Sequence, residues 1–222
     1  MSKKGILLAA LLLTSMSGSA TALEAKLGET VVTLTPPSGQ CESLSEYSAE
    51  ERQQREKLFS LGNIKLLGQY ANCEQLAKAR TEQVLFTDYA MYTIASAAIY
   101  AKAPAGITRE ICAGLRTKTQ QQMNGINKMA DRYAQYALGD DIKLNETRLL
   151  GVLAEEPAAC YYAALMKMKV GDKEVLRLSV NASVQIKDKV LFYSLHGPNT
   201  EVLATLLAKH KANVAAFIAA NK

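Results

Sequence analysis

The sequence has little of what common catalytic sites are built from. It contains two histidines and no tryptophan among 222 residues. No glycine-rich phosphate loop, Walker lysine motif, His-Glu-x-x-His sequence or Gly-x-Ser-x-Gly turn is present. These absences remove nucleotide-dependent enzymes, zinc proteases and serine hydrolases as first interpretations. Binding proteins and enzymes of an unfamiliar type are left.

Long apolar runs are also scarce, and the one that occurs lies near the N-terminus. The run 6–13 follows two lysines and precedes small residues that end at Ala22. This layout is typical of a secretory signal and predicts cleavage between Ala22 and Leu23. The alternative is a retained membrane anchor, but a spanning helix needs about 20 apolar residues. We therefore expect a signal peptide at 1–22 and no transmembrane segment in 23–222.

Neither the charge pattern nor the composition of residues 23–222 indicates a boundary between domains. The formal charge of +5 falls to +3 when the two lysines of the signal leave, and basic residues alternate with acidic ones. Such a pattern is typical of a solvated surface, so we expect no nucleic-acid partner. No linker rich in proline, glycine or serine interrupts residues 23–222. One domain is expected, exported to the periplasm or secreted, and the short signal favours a Gram-negative bacterium.

Four cysteines are present, but no two are close in sequence. The chain has no Cys-x-x-Cys motif and no zinc-ribbon spacing. In an oxidising compartment an even number of cysteines indicates disulfide bonds, and three pairings are open. We favour Cys41 with Cys73, because each follows a short strand-like run in the same N-terminal segment. The other two are Cys112 and Cys160.

The first half of the chain predicts a mixture of strands and helices. Thr108 is a suitable N-cap for a long amphipathic helix over 109–138, whose basic face is interpreted as solvated surface rather than a binding patch. A segment at 73–82 is either a helical turn or a loop. The remaining predicted elements are a first strand at 30–35, a surface helix at 49–61, and strands at 64–71 and 88–96.

The last third of the chain predicts the fold class. Strand-like runs at 147–154, 160–170, 174–186 and 189–195 are joined by connections too short for a parallel return. They therefore form an antiparallel meander, and a helix at 200–220 has one apolar face to cover it. We predict an α+β domain: a single, largely antiparallel sheet with a C-terminal four-stranded meander, flanked by helices as an α/β/α sandwich.

This order of elements, carried by the segments 147–195 and 200–221, resembles the PsbP-like superfamily of α/β/α sandwiches, which includes exported bacterial proteins of the DcrB kind. The resemblance is one of topology and covers most of residues 23–222. It implies a non-catalytic binding or assembly factor. It implies no functional residue in this chain.

Few residues are candidates for chemistry. His196 ends the last strand, where a base could face a cleft, but it is interpreted as a residue that caps the local backbone. His210 lies among the apolar positions of the last helix and is interpreted as a packing or surface residue rather than a ligand. The acidic pairs Asp140–Asp141 and Glu155–Glu156 are placed in turns and interpreted as solvated, not as acid/base or metal sites.

The sequence thus predicts an exported, periplasmic, non-catalytic binding or accessory protein, with a protein or small molecule of unknown identity as partner. No catalytic residue, cofactor or metal ligand is assigned. The alternative is an exported enzyme of unfamiliar type centred on His196. A carboxylate that holds Nδ1 of His196 would favour the enzyme, and its absence would favour the binding protein.

Overall fold

The computed structural model of the protein describes residues 22–79, 81, 86–117, 142–170, 173–197 and 202–222. The predicted signal up to residue 21, the part of the predicted long helix beyond residue 117, and Asp140–Asp141 lie outside these ranges. Within them, no helix is long and apolar enough to cross a membrane.

The described residues form nine strands and four helices, with single 3₁₀ turns at Leu44–Glu46 and Ser96–Ala98. In chain order they are β1 (Leu23–Leu27), β2 (Thr30–Leu34), β3 (Gln40–Glu42), α1 (Ala49–Leu61), β4 (Ile64–Asn72), α2 (Cys73–Ala79), β5 (Tyr89–Ala95), α3 (Ile107–Thr117), β6 (Ile142–Glu156), β7 (Ala159–Val170), β8 (Lys173–Ile186), β9 (Lys189–Gly197) and α4 (Leu203–Ala219).

Seven of the strands make one antiparallel sheet in the order β3-β4-β5-β9-β8-β7-β6, and β1 and β2 form a separate hairpin. Strands β6 to β9 are a meander in which each strand pairs with the next. The predicted fold class, an α+β domain with an antiparallel sheet flanked by helices, is confirmed. The strands of the meander are antiparallel because their connections are too short for a parallel return.

Some local predictions differ from the structure. The strand at 30–35 is preceded by β1, and the short strand β3 was not predicted. Thr108 is not an N-cap, because α3 already begins at Ile107, and its hydroxyl instead donates to the backbone oxygen of Pro157 at 3.4 Å. The segment after residue 72 is a helix, α2, rather than a loop.

One face of the sheet packs against α4 and forms the core. Alternation along the strands places Tyr92 of β5, Tyr193 of β9 and Tyr161 of β7 on this face, all fully buried. The rings of Tyr92 and Tyr193 stack at 4.2 Å between centroids. From α4, His210 and Phe217 pack against these rings. Each large buried ring removes roughly 150–250 Å² of surface from water, so this face supplies much of the stability.

The β1–β2 hairpin completes the same core from the other end of the chain. Leu27, Val32 and Leu34 are fully buried in it. The hairpin is fixed to the C-terminus by Asn221, whose side chain accepts from the backbone N–H of Thr33 and donates to its carbonyl, both at 2.8 Å. Both ends of the described chain therefore meet at one place.

Two disulfide bonds tie helices to the sheet. Cys41 of β3 is joined to Cys73 at the start of α2, the pair that the sequence favoured. Cys112 of α3 is joined to Cys160 of β7, and both of these residues are fully buried. The described residues include no free cysteine. The two bonds hold α2 and α3 at the same sheet through different strands.

Candidate binding site on the polar face of the sheet

The face of the sheet opposite α4 carries more polar residues than the core face does, although Met91, Phe192 and Met166 also lie on it. On β8, Ser179, Asn181 and Ser183 alternate with Val180 and Ala182 of the core face. The strand pairing places residues of β9, β5 and β7 on the same side of the sheet as these residues of β8. We use the name "polar face" for the following residues on this side of the sheet: Tyr89, Met91 and Thr93 of β5; His196, Ser194 and Phe192 of β9; Arg177, Ser179, Asn181 and Ser183 of β8; and Tyr162 of β7.

Helices cover parts of the polar face. Helix α1 packs on β4, where Arg55 donates from Nη1 to Oε1 of Gln69 at 3.3 Å. Helix α3 lies over β6 to β8 and is anchored by the disulfide between Cys112 and Cys160. Between these anchors lies the middle row of the face, where Ser194 and Asn181 are partly exposed. The face is thus polar and enclosed at its sides.

His196 is the most unusual residue of the polar face. Its side chain is 5% exposed, and its ring lies flat on Tyr89 at 4.1 Å between centroids. Both ring nitrogens are buried with no hydrogen-bond partner. Burial lowers the pKa of His196 to about 3, with smaller contributions from Arg177 and His210, so the imidazole is neutral at pH 7. The predicted backbone cap is wrong, because neither nitrogen bonds the backbone.

Arg177 lies beside the same tyrosine ring. Its guanidinium carbon is 5.6 Å from the ring centroid of Tyr89, and the residue is 2% exposed. Nη1 donates to the backbone oxygen of Phe86, but Nε is buried without a partner. Burial lowers the pKa of Arg177 and raises that of Tyr89, yet the guanidinium stays charged at pH 7. A buried positive charge therefore lies next to a neutral histidine.

His210, the other histidine, belongs to the core on the opposite face. It is fully buried, its Nε2 lies 3.1 Å from the backbone oxygen of Tyr193, and burial lowers its pKa to about 3. Its ring meets those of Tyr161 and Tyr193 edge to face. These contacts make His210 a packing residue and place it away from the polar face.

The sequence predicted that Glu155 and Glu156 lie in a turn and are solvated. Both predictions are wrong, because the two residues end strand β6 and form ion pairs. Glu155 pairs with Arg116 at 2.8 Å, and Glu156 pairs with Lys211 at 2.8 Å. Glu156 also accepts from the hydroxyl of Tyr161 at 3.2 Å. Both carboxylates are therefore engaged in contacts to α3 and α4. The turn that follows them starts one residue later, at Pro157.

This arrangement can donate hydrogen bonds and provide positive charge. Arg177 offers Nε–H, and neutral His196 offers one donor and one acceptor. In the described part of the chain, no carboxylate bonds either histidine nitrogen of the polar face, and no group of three His, Cys, Asp or Glu residues could hold a metal ion. His196 thus lacks the carboxylate that would orient it as a general base.

Replacing His196 by Phe is expected to stabilise the protein by about 1–3 kcal/mol, because each buried polar atom without a partner costs energy of that order. A phenyl ring keeps the stack on Tyr89 and removes both unpartnered nitrogens. Urea unfolding at pH 7 would measure the change. His196→Ala is the matched control and is expected to destabilise, since it also loses the stacked ring. A lower stability of His196→Phe than of the wild type would contradict the absence of hydrogen-bond partners at the two ring nitrogens.

Sequence reasoning identified His196 but not Arg177 or Tyr89. Alternation of serine and asparagine with small apolar residues along 178–184 was a usable signal for a polar face. Nothing local to Arg177 distinguishes it from a surface arginine, because its burial depends on Phe86 and Tyr89, which come from another part of the chain.

Comparisons with known proteins add little. No protein-family model matches the chain, and no curated protein matches it. Among solved structures, the chain is similar to the Ran-binding protein Mog1p of Saccharomyces cerevisiae, with 9% identity, 91% of this chain and 93% of that chain covered, and a TM-score of 0.36. A TM-score of this size carries no argument about the fold or the function of this chain.

Proposed function

We propose that this protein is an exported, non-catalytic binding or accessory protein of the periplasm, and that its ligand lies on the polar face. The observation that carries the proposal is the set of unfilled hydrogen-bonding atoms on Arg177 and His196. Buried polar groups in folded proteins are nearly always bonded, so such atoms indicate a place that a ligand fills.

Export is supported by the disulfide bonds and by the predicted signal peptide. All four cysteines are paired, which suits an oxidising compartment such as the periplasm. Similarity to the PsbP-like superfamily belongs to the same proposal, and an antiparallel sheet with flanking helices is consistent with it. The alternative of an enzyme centred on His196 has no contact in its favour among the described residues, since both ring nitrogens are unpartnered.

The test is native mass spectrometry of the full chain, expressed with its own signal in a Gram-negative host and purified from the envelope without denaturant. We expect an intact mass that begins at Leu23, has both disulfides, and is accompanied by a reproducible bound component. Ser194→Leu, which places a branched side chain in the middle row of the polar face, is expected to lose that component.

Thr205→Leu is the matched control, because Thr205 is exposed on α4, on the other side of the sheet. It should retain the component. Wild-type protein that is repeatedly empty, or a component that survives Ser194→Leu, would overturn the proposed binding surface. A protein found in the cytoplasm with residues 1–22 still attached would overturn the proposed export.

A further inference from the structure

We infer that Arg177 and His196 together hold an oxyanion, the carboxylate or phosphate group of the bound ligand. This inference rests on the proposed function, because it names the chemistry of a ligand on the same polar face. Three features point to it: a buried positive charge, an unfilled edge of its guanidinium group, and a neutral histidine next to it.

The charge of Arg177 is buried without an opposite charge among the described residues. The residue is 2% exposed, and Nη1 donates to a neutral acceptor, the backbone oxygen of Phe86. Burial of an unpaired cation is unfavourable, because the cation loses its hydration without gaining an opposite charge. An anion that binds beside Arg177 would remove much of that cost.

The geometry of the guanidinium group selects the kind of anion. Nη1 is already engaged by Phe86, whereas Nε is buried and unpartnered. Nε–H and one N–H of Nη2 point along the same edge of the planar group, and this edge matches the two oxygens of a carboxylate or phosphate. A halide ion has no pair of oxygens that could accept one hydrogen bond from each N–H of this edge, so it binds there less strongly.

His196 shares the ring of Tyr89 with Arg177. The imidazole stacks on that ring at 4.1 Å, and the guanidinium carbon is 5.6 Å from the same ring centroid. Both ring nitrogens of His196 lack partners, so one N–H is free to donate to an oxygen of the anion. The two residues therefore supply donors around one aromatic ring.

Three acidic residues of neighbouring elements have other hydrogen-bond partners. Glu42 accepts from the backbone N–H groups of Leu44 and Ser45, and Glu51 closes the capping box of α1 with Ser48. Asp88 accepts from Gln40 and pairs with Lys209 at 3.1 Å, on the core side of the sheet. These carboxylates are thus not available to neutralise Arg177.

A second guanidinium strengthens the positive field. Arg55 of α1 bonds Gln69 and lies over the ring of Tyr47 at 3.9 Å. Both Arg55 and Arg177 lower the pKa of Tyr89, although burial raises it more. Within the described ranges, neither arginine forms a salt bridge with a carboxylate. A cationic ligand would be repelled here, and a neutral one would leave the charge of Arg177 unpaired.

The test is an NMR titration of the exported, ¹⁵N-labelled protein at pH 7 in a chloride buffer, with sodium acetate and sodium phosphate as separate probes. We expect a saturable shift of the Arg177 Nε–H signal and of the His196 ring nitrogens with at least one probe. Tighter binding of acetate would indicate a carboxylate ligand, and tighter binding of phosphate would indicate a phosphate ligand. Sodium chloride at equal ionic strength should produce no saturable shift.

Two variants and a control decide the role of Arg177. Arg177→Lys keeps the charge but not the two-point edge and is expected to weaken binding by about tenfold or more. Arg177→Met is expected to abolish binding while keeping the fold, because an apolar chain of similar length replaces a buried unpaired cation. Arg52→Met, on an exposed position of α1, removes the same charge and should bind like the wild type.

Linear shifts with every salt, or unchanged binding in Arg177→Lys, would overturn the inference. The lysine variant keeps the test valid if the methionine variant fails to fold. The two proposals fail separately: a component that copurifies with the wild type and with Arg177→Lys alike would leave the binding function standing and refute the oxyanion. An empty wild-type protein that binds neither probe would refute both.

Discussion

Lowering the pH from 6.5 to 5 is expected to reduce the free energy of unfolding by about 3 kcal/mol in total. Burial lowers the pKa of both His196 and His210 from 6.5 to about 3. In the unfolded chain both titrate near 6.5, so the unfolded state binds about one more proton than the folded state at pH 6.5 and about two more at pH 5. Each such proton contributes about 1.4 kcal/mol per pH unit.

The sign follows from the direction of the shift. A histidine whose pKa is lowered on folding stabilises the fold fully above pH 6.5 and loses that contribution as the pH falls toward 3. By about pH 3 the two groups together remove roughly 9 kcal/mol, which is comparable with the total stability of about 5–15 kcal/mol of a typical domain. Carboxylates with lowered pKa values, such as those of Glu51 and Asp188, titrate at lower pH and leave the window from 6.5 to 5 to the histidines.

Urea unfolding at several pH values between 7 and 5 measures this dependence. His196→Phe should halve the slope, because one of the two buried imidazoles is gone, while Tyr100→Phe, at an exposed ring, should leave it unchanged. A stability that is flat across this range, or a slope that His196→Phe does not alter, would contradict the burial of these rings.

Loss of the disulfide between Cys112 and Cys160 is the second large effect expected. Replacing both by Ala should lower the free energy of unfolding by about 4 kcal/mol, since the bond closes a loop with a sequence separation of 48 residues. The cost arises mainly because the unfolded chain gains freedom when the loop opens. In the folded state, α3 also loses its covalent tie to β7.

Hydrogen exchange separates this effect from general weakening. The amides of α3 should lose protection in the Cys112→Ala/Cys160→Ala variant, whereas those of α2 should not. Cys41→Ala/Cys73→Ala is the matched control, with a separation of 32 residues, and should expose α2 in place of α3. A loss of stability below about 1 kcal/mol, or full protection of α3, would contradict the tie that we assign to this bond.

The elements that could be predicted from the sequence are those marked by a local sequence pattern. The meander was predictable because tight connections force neighbouring strands to run antiparallel. The strand β1 was missed because its five residues directly follow the predicted cleavage point, and β3 because three residues carry no period. The helix α1 was predicted with its observed bounds from its first-turn acids and from Gly62 at its end, whereas its N-cap, Ser48 with a capping box to Glu51, was found only in the structure.

The candidate site was less accessible to sequence reasoning. A strand period tells which residues share a face, but not what lies across from them. His196 was assigned to the end of the last strand correctly, yet its burial depends on Tyr89, which pairs with it from a strand far away in sequence. The charge of Arg177 is likewise enclosed by Phe86 and Tyr89. Contacts of this kind arise only when the sheet is assembled.

The clamp between Asn221 and Thr33 sets an order of events for a chain that is synthesised from its N-terminus. The hairpin β1–β2 appears first, but the residue that fixes it appears 188 positions later. Until then the apolar side of the hairpin has no cover, because α4 also comes last. The core can therefore close only after nearly the whole chain has emerged. A late closure of this kind is compatible with the proposed export, because passage through a translocation channel requires an unfolded chain.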